Sequence, residues 1–89
     1  MNYIDGVRER LNVELPGLDP ALLDLYTLLV FTEGPRVGME NVHDAWSVWR
    51  SRTEPHHVSV VPFDDLTPEV QELDRKYTDA IGRVARELL

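Results

Sequence analysis

Asp19-Pro20-Ala21-Leu22-Leu23-Asp24-Leu25-Tyr26-Thr27-Leu28-Leu29-Val30-Phe31 is the stretch whose reading decides the fold. Asp is a favoured helix N-cap, because its carboxylate accepts an unpaired amide of the first turn. Pro fits the first helical position, where its missing N–H has no partner to lose. From Ala21 to Phe31 the apolar residues cover most of the helix circumference. A helix that is apolar nearly all round is enclosed by others, so this one belongs at the centre of a small bundle. Tyr26 is expected in the core with its hydroxyl at the rim. Gly34-Pro35 ends the helix.

The flanking segments supply the surrounding helices. Ile4, Val7 and Leu11 recur at helical spacing in a first helix from about Tyr3 to Leu15, ended by Pro16-Gly17. A third helix runs from near Gly38 to about Arg52, with Met39, Val42, Ala45, Trp46 and Trp49 on its apolar stripe. Glu54-Pro55-His56-His57 cannot be regular helix, and Val58-Ser59-Val60-Val61-Pro62-Phe63 reads as an extended segment laid against the bundle. Thr67-Pro68 opens the last helix, whose stripe is Val70, Leu73, Tyr77, Ala80, Ile81, Val84 and Leu88, with a break expected near Asp74. Gly82, poor by propensity, marks close packing. The predicted fold is all-α: one domain over residues 1–89, a bundle of about four helices with an extended loop before the last.

Composition narrows the function. The chain has 89 residues, 16 acidic and 9 basic, and a formal net charge of -7. A phosphate backbone rewards clustered Lys and Arg, so DNA or RNA binding is not expected. The longest apolar stretch, Leu25 to Phe31, is far shorter than the roughly 20 residues that span a bilayer, so no membrane segment is expected. There are no cysteines, and the N-terminus lacks the basic and apolar regions of a signal peptide, which together lead to the expectation of a cytoplasmic protein. Without a Cys nucleophile, a Gly-rich phosphate loop or G-x-S-x-G, the residues suggest a domain that is not an enzyme. His43, His56 and His57 match no metal-ligand spacing, so neither a metal nor another cofactor is expected.

One further pattern is more specific. Glu40-Asn41-Val42-His43-Asp44-Ala45-Trp46 is followed by His57-Val58-Ser59-Val60-Val61-Pro62-Phe63-Asp64-Asp65-Leu66, then by a closing helix. This resembles the ryanodine-receptor (RyR) repeat, with its E-N-x-H-x-x-W helix and H-P-x-L-V-P-[YF]-x-x-L segment. The likeness is strongest over 39–89. The family's G-W-x-Y-G stretch is missing here, and Val58 stands where the family has Pro. The chain also resembles small stand-alone proteins of actinobacteria and their phages.

The resemblance implies a binding domain that senses or sequesters a nucleotide-derived ligand. Trp46 would stack on it, and His43 and Arg50 would touch its polar part. Trp49 and His57 complete the candidate set. Each has a structural reading beside this one. The two Trp residues can anchor the core, and His43 can brace a neighbouring backbone group. His43 and His57 together can hold the loop against the third helix. The alternative function is a protein-interaction module, such as a phage factor acting on a host protein through its acidic surface or exposed aromatics. A homodimer would rebuild the two-repeat cleft of the RyR family.

Overall fold

The computed structural model describes residues 1–89. Its helices are α1 (Tyr3–Glu14), α2 (Pro20–Thr32), α3 (Met39–Ser51), α4 (Pro68–Glu72) and α5 (Arg75–Leu88), with 3-10 turns at Gly34–Arg36 and Phe63–Asp65. There is no strand. The molecule is an all-α bundle.

Local chemistry sets the boundaries. The side chain of Asp19 accepts the Ala21 amide at 2.9 Å, with Pro20 at the first helical position. Asn2 caps α1 through the Asp5 amide. Asn41 Oδ1 reaches back to accept the Gly38 amide at 2.7 Å and so fixes the entry to α3. Thr67 caps α4 through the Val70 amide. Gly17, at φ 85, makes the turn after α1 in a backbone region that L side chains rarely adopt.

Thirteen buried apolar residues make one core: Val7, Leu11 and Leu15 of the α1 region, Leu22, Leu23, Tyr26 and Val30 of α2, Val42 and Ala45 of α3, and Ala80, Ile81, Val84 and Ala85 of α5. Helix α2 packs against α1, α3 and α5, which is why its circumference is apolar. Thr27 stays buried because its hydroxyl donates to the Leu23 carbonyl at 2.8 Å. Gly82 is buried in α5 facing the segment after α2: a Cβ there would meet Val37 Cγ1 at 3.6 Å.

Three expectations need correction. The segment Val58–Val61 is not uniformly extended. Backbone bonds from His57 to Glu54 and from Val60 to His57 fold the loop into two successive turns, and only the stretch leading to Pro62 runs out. With no sheet edge to pair with, the β-branched residues satisfy their backbone locally. Leu73 and Leu88 do not belong to the buried stripe; Leu73 is 69% exposed. The helix breaks after Glu72, where Leu73 and Asp74 make i→i−3 bonds to Val70 and Gln71 before α5 restarts. α4 and α5 are therefore separate helices, and a stripe drawn along one continuous rod fails at the junction. Leu28 is likewise 55% exposed, leaving one face of α2 uncovered.

Candidate functional site

The main concavity is a cleft of about 520 Å³ where α2, α3, the 57–66 segment and the α4–α5 junction meet. Leu22 and Tyr26 come from α2, and His43 and Trp46 from α3. His57, Ser59 and Leu66 close it from the loop. Val70, Leu73, Asp74, Lys76 and Tyr77 line the remaining side. The lining is mainly apolar and aromatic with a few polar groups, the usual make-up of a small-molecule site.

His43 organises this region. Its ring is buried, 3% exposed. Nε2 lies 2.6 Å from the Val61 carbonyl oxygen. A carbonyl only accepts, so Nε2 carries the proton and donates it. This bond staples the loop to α3, and Phe63 packs at 6.1 Å from the same ring. Gln71 Nε2 donates to the Phe63 carbonyl at 2.9 Å and ties α4 to the same segment. His57 lies edge-on to Trp46, centroids 5.3 Å apart, and its Nδ1 accepts the Ser59 amide at 3.0 Å. The structural reading of the two histidines as loop braces therefore holds, and the same bracing shapes the cleft wall.

Asp74 stands on the other side of His43, with Oδ2 3.9 Å from Nδ1. Burial pushes its carboxyl above the usual aspartate range, while the charge of His43 pulls the other way. Tyr26 lines the same cleft, and its phenol is raised well above its ordinary value, first by burial and then by the negative charge of Asp74.

Ser47, His43 and Asp74 follow one another in the order of a hydrolase triad, but the wiring does not serve catalysis. Ser47 Oγ is 3.3 Å from Nε2, the nitrogen whose proton is held by Val61. That nitrogen has no lone pair to receive a proton from Ser47. Nor does Ser47 line the cleft. No group of three His, Asp or Glu side chains is placed to hold a metal ion.

The five residues singled out by sequence separate into two groups. His43, Trp46 and His57 meet in the cleft. Trp49 and Arg50 do not line it. Trp49 lies about 120° round the helix from His43 and turns toward α2, where its indole N–H donates to Asp19 at 3.2 Å. Arg50 covers both indoles from outside, 4.6 Å from the Trp49 ring and 5.8 Å from the Trp46 ring. Its Nη1 is committed to Glu54 at 2.7 Å, and its Nε is buried without a partner. The cleft residues that sequence reasoning left out of the candidate set are Leu22, Tyr26, Ser59, Leu66, Val70, Leu73, Asp74, Lys76 and Tyr77. Asp74 carried one signal, an acidic residue at a suspected helix break. Lys76 read as half of a basic pair with Arg75, Ser59 and Leu66 as part of the loop motif, and the rest as ordinary stripe residues; the packing of α2 against α3 and α5 brings them together.

No helix is long and apolar enough to cross a membrane. Comparison with curated proteins finds no match, and comparison with solved structures finds none. A family model covers residues 2–86, from the cap of α1 to the last turn of α5, and the chain thus belongs to the family described as Domain of unknown function (DUF7701).

Proposed function

We propose that this chain is a non-catalytic binding domain whose cleft beside Trp46 takes a small planar ligand of the nucleotide-derived class. The observation that carries the reading is the aromatic, half-enclosed cleft itself, in which Trp46 and Tyr77 offer ring surface and His43 and Asp74 offer polar contacts. Trp46 is half-buried and lines the cleft, with His43 stacked on its ring and His57 edge-on to it. The likeness of residues 40–66 to the RyR repeat supports the same reading, because its matched His43, Trp46, His57 and Leu66 all line this cleft. The commitment of the His43 proton to a backbone carbonyl supports binding without catalysis.

The test is a thermal-shift and tryptophan-fluorescence titration with adenine and cyclic nucleotides. A ligand at about 100 times its dissociation constant stabilises the native state by roughly 2.7 kcal/mol. A saturable shift that Trp46→Ala abolishes while remaining folded supports the proposal. No shift with any member of the panel sinks it.

A second reading has its own observation. A shallower groove between α2 and α3 is lined by Leu25, Leu28, Leu29, Ala45 and Val48, with Glu33 and Asp44 at its edge. Leu28 and Val48 are 55% and 59% exposed. An apolar strip edged by carboxylates suits a basic, amphipathic segment of a protein partner. Leu28→Asp abolishing partner binding, with cleft ligands unaffected, would favour it.

A further inference from the structure

We infer that the cleft recognises the donor edge of a flat, amino- or amidine-bearing nitrogen compound, with the Asp74 carboxylate as the acceptor at its floor. This inference rests on the ligand-binding reading of the same cleft and names the chemistry of the ligand's inward end.

Asp74 occupies the N-cap position of α5. There an Asp side chain ordinarily accepts an amide of the first turn. Here it makes no such bond. The hydrogen bonds that Asp74 accepts, from the Thr78 amide and hydroxyl at 2.9 Å each, go to its backbone carbonyl instead. The group facing the carboxylate most directly is His43 Nδ1, and 3.9 Å is beyond a hydrogen bond. Yet the Asp74 side chain is only 15% exposed. Its oxygens therefore rely on the little solvent that reaches them, since Arg50 Nε is the one fully buried side-chain polar atom without a partner, and N–H donors of a ligand would take the place of that water.

The surroundings say what kind of group would. The two oxygens of the Asp74 carboxylate match an amidine, guanidine or amino-heterocycle edge, which presents paired N–H donors. Trp46 and Tyr77 supply aromatic lining: His43 stacks on the Trp46 ring and Tyr26 packs against Tyr77, so a flat or cationic group meets the ring surface left toward the cleft. An anionic end is disfavoured beside Asp74 by like-charge repulsion. The Lys or Arg of the lining is Lys76, exposed at the mouth with Nζ 5.5 Å from the Tyr77 ring. A ligand with both a base and a phosphate therefore enters base first, its phosphate left outside near Lys76.

The test uses three molecules of nearly the same shape: benzamidine, benzamide and benzoate. Each is titrated into the full chain and followed by ¹H–¹⁵N chemical-shift changes at cleft residues, in wild type, Asp74→Asn and Trp46→Ala. The expected result is that wild type binds benzamidine at least about ten-fold more tightly than benzoate, with benzamide between them. Asp74→Asn, folded as judged by its spectrum and melting curve, loses that margin. Equal affinities, or a margin that survives in Asp74→Asn, overturn the role of Asp74. If Trp46→Ala still weakens all three in that case, the cleft reading stands without it. No cleft shifts with any probe overturn both.

Discussion

Nε2 of His43 donates to the carbonyl oxygen of Val61 across 2.6 Å, joining α3 to a segment eighteen residues further along the chain. This bond holds the loop that forms one wall of the cleft. Removing the imidazole leaves that carbonyl without its partner. We expect His43→Ala to cost roughly 1–3 kcal/mol from the unsatisfied carbonyl alone, and more through the cavity left by a buried ring. Chemical denaturation gives the loss. Hydrogen exchange should show faster amide exchange at Val60 and Leu66, whose bonds to His57 and Phe63 stabilise the same loop. Unchanged exchange there would contradict the bracing role.

Asp74→Asn should melt higher than wild type at neutral pH. Burial raises the Asp74 carboxyl above its ordinary range, so the folded state holds this proton more tightly than the unfolded chain. The contribution to stability is complete below the ordinary aspartate value and is lost as pH rises through the raised folded value. The melting-temperature gain of Asp74→Asn over wild type should therefore grow as pH rises across that window and level off above it. A gain that shrinks with rising pH would reverse the assignment. A residue that costs stability and faces a cleft fits a functional position.

Trp49→Phe separates the two indoles. It removes the N–H bond to Asp19 while keeping an aromatic ring against the core. The expected loss is about 1 kcal/mol, with ligand-induced shifts intact. Trp46→Ala should lose those shifts. If Trp49→Phe abolishes them instead, the binding surface lies on the other side of α3.

Leu11→Ala tests the core. Leu11 is wholly inaccessible and packs where α1 meets α2 and α5. The expected cost is about 2–5 kcal/mol, a large part of the roughly 5–15 kcal/mol that holds a small domain folded. Urea unfolding gives the value, and a loss below about 1 kcal/mol would mean that α1 is peripheral.

Leu73→Ser should leave stability within about 0.5 kcal/mol of wild type, because the side chain is already in water. Since Leu73 also lines the cleft, it should still weaken the binding of flat aromatic probes. A large stability loss would place Leu73 in the core.

Much of this structure was legible from local chemistry. Asp19-Pro20, Gly38 and Thr67-Pro68 announced helix starts because capping depends on residues within one turn. The nearly all-round apolarity of Ala21–Phe31 announced the central helix because burial on several sides requires it. The position of the last-helix break, near Asp74, was also readable. Three of the five candidate residues, His43, Trp46 and His57, could be picked from residue type and order, and they meet in space.

Tertiary structure decided the rest. Whether Val58–Val61 extends or turns depends on having an edge to pair with, and none exists. Trp46 and Trp49 are both aromatic residues on one helix stripe. Only the approach of Asp19 takes Trp49 away, and only the α4–α5 junction encloses Trp46. The Asp74 carboxylate acquired its place the same way. Sequence determines that a carboxylate stands at the break. The packing of α3 against the loop and the last helices determines that it lies 3.9 Å from His43 at the floor of a cleft, because long-range contacts set which side chains share a space and local periodicity does not.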